Sequence, residues 1–191
     1  MANPNAPHGA RPLSHLDGSS WNGKTRKYYI PSGDSTAVYV YDFVKLVADT
    51  HTDGTPICAQ AGVGDTLLGV VTSIVPQATR PNDTYRPAST GYYVNVCDAP
   101  DVVYEMQEDS AGNNIGDSGN LCGGNADLVV GTGSSVTGLS GMLIDSSGLD
   151  ADTAQLRVLR LHQKPGNDIG QYAVWEVVIN EHIFKTTTGV E

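Results

Sequence analysis

The chain contains no run approaching the ~18 consecutive apolar residues of a membrane-spanning helix. Its first residues also lack an apolar stretch of the secretory type. The reading is of a protein made and finished in a cytoplasm, with no membrane partner. Charge is sparse: Asp, Glu, Lys and Arg supply 17% of the residues, against the usual ~25%. Long charged helices are thereby disfavoured, and helical periodicity is almost absent. Cysteine is scarce as well. Cys58, Cys97 and Cys122 are odd in number and widely spaced, with no CxxC pair. A zinc site or a thioredoxin-type pair therefore has little support. All three are expected to be buried small hydrophobes in a reducing compartment.

Positive charge is short too, at 11 Lys and Arg against 21 Asp and Glu, a net −10 over 191 residues. Residues 1–27 hold Arg11, Lys24, Arg26 and Lys27 against Asp17 alone, a balance of +3, which leaves −13 for the remainder. A body this acidic repels phosphate backbones, so no nucleic-acid partner is expected. A basic segment on an acidic body suits docking onto an acidic surface, or serves solubility alone.

What is present in excess is glycine, 22 residues, and turn chemistry in general. Strand-like runs recur between polar loops. Candidates lie at 26–30, 36–47, 67–75, 91–97, 102–107, 127–130, 141–145, 156–162 and 174–183. The run at 36–47 is apolar on both faces, with Val38, Val40, Val44 and Leu46 opposed to Tyr39, Tyr41 and Phe43. Such a strand is central, or one face meets another chain. In 174–183, Trp175, Val177, Ile179 and Ile183 share a face. The run at 156–162 breaks alternation, which predicts a β-bulge near Val158–Leu159. The fold class is all-β: an antiparallel β-barrel or a jelly-roll-like sandwich.

The first 24 residues stand apart. Pro4, Pro7 and Pro12 exclude a helix or a central strand. Leu13, Leu16 and Trp21 are anchors that a disordered tail would lack. Residues 1–24 therefore read as an extended arm that lies on something, and 25–191 as a single β-rich domain. Fully extended at ~3.3 Å per residue, the arm spans up to ~80 Å. Removing residues 2–20 is expected to leave the body folded.

No segment carries a catalytic signature. Residues 133–140 have phosphate-loop spacing, but Leu139 stands where Lys is needed and no βαβ pattern surrounds it. Residues 109–120 offer oxygen ligands without EF-hand spacing. Asp101, Glu105, Glu108 and Asp109 crowd one stretch, but Asp101 and Glu105 would stand ~13 Å apart on one strand face, beyond the ~5 to 9.5 Å of paired glycosidase carboxylates. His8, His15, His51, His162 and His182 are scattered. Trp21, Tyr28, Tyr29, Tyr92 and Tyr93 are the aromatic residues available to a glycan groove.

Four stretches resemble a known family. They are 3–12 (NPNAPHGARP), 100–109 (PDVVYEMQED), 125–147 (NADLVVGTGSSVTGLSGMLIDSS) and 174–182 (VWEVVINEH). Together they are similar to the head decoration, or cement, proteins of tailed bacteriophages. The resemblance implies a small β-rich structural protein on the outer face of the assembled capsid. It would clamp neighbouring major capsid subunits, with no catalysis and no cofactor. It would be made in the host bacterial cytoplasm and end in the virion.

The partner interface expected on this reading is the arm, through Pro4, Pro7, Arg11, Leu13 and Trp21. Identical subunits are a second expected partner, a dimer ahead of a trimer. A virion-surface glycan-binding or adhesive module is the alternative, using loops such as 76–90.

Overall fold

The computed structural model describes residues 3–109, 115, 116, 122–147, 149, 153–186, 189 and 190. Twelve strands lie among them: β1 (Arg11–His15), β2 (Arg26–Ile30), β3 (Phe43–Thr50), β4 (Pro56–Gln60), β5 (Gly69–Ile74), β6 (Tyr92–Cys97), β7 (Val102–Gln107), β8 (Asn125–Ala126), β9 (Leu128–Val129), β10 (Leu143–Ile144), β11 (Leu156–Leu161) and β12 (Val174–Ile179). The fold is all-β, as the alternating runs predict. Five strands close a barrel in the order β2-β4-β3-β5-β6, and five more form a sheet in the order β1-β7-β12-β11-β8. Pairing is antiparallel except between β2 and β4, which meet in parallel at Tyr29 and Ile57.

The barrel and the sheet share a wall. Successive residues of the wall strands point alternately into two cores. Val44, Val71 and Val96 fill the barrel interior with Tyr28, Ile30 and Val94. Their neighbours Phe43, Val70 and Cys97 face outward, against Tyr104, Met106, Trp175 and Val177 of the sheet. Leu67 and Leu68 divide in the same way. At Gly69 the wall allows no side chain, because a Cβ would stand 2.1 Å from the Cys97 carbonyl oxygen.

This wall corrects the reading of 36–47 as one long strand. Tyr41 adopts a left-handed backbone, φ 73°, and the strand starts only at Phe43. Asp42 builds the turn: its Oδ2 accepts from the Tyr39 N–H at 2.8 Å and from Gln60 Nε2 at 2.8 Å. Val38 and Val40 make single bridges, to Arg86 and Leu139. Phe43 and Tyr41 of this run pack in one internal core and Val38, Val44 and Leu46 in the other, while Tyr39 stacks on Tyr85 with ring centroids 4.7 Å apart.

The bulge is where the broken alternation put it, with the β11–β12 register shifting between Val158 and Arg160. β12 ends at Ile179, earlier than the apolar pattern implies. Beyond it, Asn180 and Glu181 donate to the Gln155 carbonyl, and Ile183 packs on the barrel core instead of joining Trp175. Cys58 and Cys97 are buried, but Cys122 is exposed, contrary to expectation. Burial pushes the Cys58 thiol up to about 12.

The arm, expected to lie on its own domain or on a neighbouring subunit, lies on its own body and is in part a strand. β1 pairs with β7 at the edge of the sheet, from Arg11↔Glu105 to His15↔Val102, with an irregularity between Pro12 and Ser14. An edge tolerates Pro12, since its missing N–H need serve no neighbour. Ala10 is buried in the core, its N–H donating to the Tyr41 carbonyl at 3.0 Å.

Candidate functional site

The N-terminal segment is strapped along the body by side chains that act like missing strand partners. Asn3 Nδ2 donates to the carbonyls of Asp168 (2.8 Å) and Gln171 (3.0 Å), and Asn3 Oδ1 accepts from the Asp168 N–H at 3.0 Å. Gln107 Nε2 donates to the carbonyls of Pro4 and Tyr172, each at 2.8 Å, while its Oε1 accepts from the Ala6 N–H at 3.0 Å. Gly9 then turns with φ 72°, so close to the body that a Cβ would stand 2.4 Å from the Tyr41 carbonyl oxygen.

After β1 the chain doubles back as a hairpin. His15 N–H donates to Ser19 O at 2.8 Å, Ser14 and Ser20 bridge, and Trp21 N–H donates to Leu13 O at 3.3 Å. Asp17 stabilises the tip by accepting from the Ser19 N–H and hydroxyl. Those two bonds hold its carboxyl below the usual range. Leu16 projects from the tip, 53% exposed, with its N–H bonded to Asp101 O at 2.8 Å.

A chain of charges crosses the outer face of the sheet. Arg11 Nη1 donates to Glu105 Oε1 at 2.7 Å. His162 Nε2 lies 3.1 Å from Glu105 Oε2, and His162 Nδ1 lies 3.2 Å from Glu176 Oε1. Arg160 Nε donates to Glu176 Oε2 at 2.7 Å. Glu105 and Glu176 are both buried, so the Arg11 and Arg160 guanidinium groups offset carboxylate desolvation. The face carries Val103, Val174 and Val178 as well, and all three are buried. The arm, Leu159 and Arg160 lie against it.

The five expected interface residues fall into two groups. Pro4, Pro7 and Arg11 lie exposed along the strap, with Arg11 already paired to its own body. Leu13 and Trp21 sit side by side in the hairpin, both half-buried, and Trp21 packs on the core. Arg26 is likewise paired internally, to Asp98 at 3.1 Å. Much of the basic segment thus docks on its own acidic body. Gln107, Asn3 and Glu176 carry no individual signal in the sequence, and His162 stands out there only as one of five scattered histidines.

The other candidates disperse. Tyr28 and Tyr92 are buried in the barrel, while Tyr29 and Tyr93 lie outside it and pack with His51, so the five aromatics line no common groove. In 133–140, Ser134 N–H donates to Leu139 O and Gly138 N–H to Ser134 O. Thr137 N–H donates to Ser134 Oγ and Leu139 N–H to Thr137 Oγ1, so the loop spends several of its N–H donors on itself. Glu105 and Asp101 are engaged by Arg11 and His15. Glu108 is buried in the interior, where desolvation pushes its carboxyl up to about 7, against the pull of the Ile115 N–H. Most of 109–120 lies outside the described residues. Among the described residues no cluster of three or more His, Cys, Asp or Glu has metal-binding geometry, and no helix is long and apolar enough to cross a membrane.

No protein-family model, no curated protein and no solved structure matches the chain.

Proposed function

We propose that this chain is a head decoration protein of a tailed phage. It binds the outer face of the assembled shell and clamps neighbouring major capsid subunits, as a structural component and not as an enzyme. The observation that carries the reading is the N-terminal segment. It is held on the body by Asn3, Gln107 and β1, yet it leaves Pro4, Pro7 and Leu16 exposed. A ribbon ordered before binding loses little further entropy on contact, which favours association. Many copies on a lattice add avidity to a modest single contact. The acidic body suits the outside of a shell better than its DNA-filled interior. The four stretches resembling decoration proteins support the same reading.

The test is co-sedimentation of the purified protein with undecorated, expanded heads, measured as copies per capsid subunit. Saturation at a fixed simple ratio is expected. Absence of binding, or binding without a plateau, overturns the proposal. The informative truncation removes residues 2–8, since Ala10 and β1 belong to the folded body; it should lower occupancy while the protein stays folded.

A further inference from the structure

Lys24, Thr25 and Arg26 lead into β2. Across an open cavity of about 350 Å3 they face Asp98, Ala99 and Pro100 of the β6–β7 turn, and Phe184 beyond β12. The lining is unusual for a chain of net charge −10. Lys24 is exposed, and its ammonium makes no ion pair among the described residues. The Arg26 side chain is 69% exposed and gives only Nη1 to Asp98, so other guanidinium N–H groups remain for another acceptor. Asp98 itself is buried under the rim and also accepts from the Tyr28 hydroxyl at 2.7 Å. The rim is therefore cationic. Its floor is apolar, with Phe184 49% exposed next to Ala99 and Pro100.

We propose that this cavity receives an acidic segment of a partner protein. A carboxylate meets Lys24 and Arg26, and an adjacent aromatic or aliphatic side chain lies on Phe184 and Pro100. Two arguments select this chemistry. A long polyanion such as nucleic acid is repelled by the rest of the body, whereas a short acidic segment meets only the cationic rim. A free anion would leave the apolar floor uncovered, and exposed aromatic surface beside cations is what protein contacts bury. The partner is a subunit of the shell, an assignment that rests on the decoration reading; the chemistry of the cavity does not.

The probe is a fluorescein-labelled Glu-Glu-Phe-Glu-Glu peptide, titrated against the full-length protein by anisotropy, with a Lys-Lys-Phe-Lys-Lys control. Saturable binding of the acidic peptide alone is expected. It should weaken with salt, and by about tenfold or more in Lys24→Glu and in Phe184→Ala. Both side chains are exposed, and unchanged melting curves would verify that the variants fold. Indifference to both substitutions, equal binding of the basic peptide, or no saturable binding overturns the proposal. So does equal competition by inorganic phosphate or oligothymidylate, which would assign the rim to phosphate.

Head co-sedimentation separates the two readings. If wild type decorates heads and both variants do so equally, the cavity assignment fails and decoration stands. If the peptide binds as expected but wild type ignores heads, the cavity stands and the decoration reading fails.

Discussion

Gln107 holds the Pro4 carbonyl through Nε2 at 2.8 Å and takes the Ala6 N–H on Oε1 at 3.0 Å. One side-chain amide thus satisfies an acceptor and a donor of the N-terminal strap, as a neighbouring strand would. The residues in contact are about a hundred positions apart in the chain, so the strap closes only after β7 is in place.

Gln107→Ala should release residues 3–6 without unfolding the body. The expected cost is about 1–2 kcal/mol, the scale of lost hydrogen bonds at a part-buried site. Faster amide exchange at Ala6 and earlier proteolysis near the N-terminus would register the release. Protection equal to wild type would show that Asn3 alone suffices.

Gly9→Ala tests the other end of the strap. An alanine at φ 72° would be strained, and its Cβ would also overlap Tyr41 O and Ser140 Cβ, each at 2.4 Å. A loss of about 1–3 kcal/mol is expected, read as a lower denaturation midpoint. A neutral outcome would mean that the strap base relaxes freely.

Arg86 is wholly buried and gives its guanidinium to backbone carbonyls: Nε to Thr90 at 2.7 Å, Nη2 to Pro31 at 2.7 Å and Asp34 at 2.8 Å, and Nη1 to Thr36. It ties the 31–36 loop to the 86–90 loop. Arg86→Met keeps much of the volume but strands those carbonyls, so a loss of about 3 kcal/mol or more is expected in thermal or denaturant unfolding.

Stability should depend on pH through Glu108. Its folded pKa, about 7, lies above its ordinary value of 4.5, so the folded state binds the proton more tightly. The contribution is complete below pH 4.5 and is lost as pH rises through 7. Asp42, raised by burial from 3.8 to about 6, runs in the same direction. His182 opposes them, because burial lowers it from 6.5 to about 4 and its contribution fades as pH falls through that interval. Glu108→Gln should flatten the decline between pH 4.5 and 7 in denaturation midpoints. An unchanged slope would exclude Glu108 as its source.

Thiol labelling should be ordered. Cys122 is exposed while Cys58 and Cys97 are buried, so iodoacetamide should modify Cys122 alone in the native protein and all three after unfolding. Mass spectrometry of the labelled peptides would detect any departure.

Legibility in the sequence followed locality. β2 and β7 carry their limits in the chain itself, closed by Pro31 and opened by the 98–101 turn, and they form at the expected residues. The Val158 bulge was legible because a slipped alternation leaves a local trace. β1 was not, since Pro4, Pro7 and Pro12 read as an extended arm docked without strand pairing until an edge position makes a proline harmless. β4 is short and begins at Pro56 between polar loops, and 36–47 hides a left-handed Tyr41 behind continuous apolarity. In the candidate site, Pro4, Pro7 and Leu16 advertise themselves by type. Gln107, Glu176 and His162 do not, because their roles depend on which strands become neighbours.

The wall that divides the two apolar interiors leaves the molecule without a seam. Phe43 and Val44 sit one peptide bond apart yet support opposite sides. Loosening either side strips neighbours from the other, so heat should find no half-melted form to populate. A single cooperative collapse is the behaviour this construction imposes on a chain that otherwise looks like two small sheets joined together.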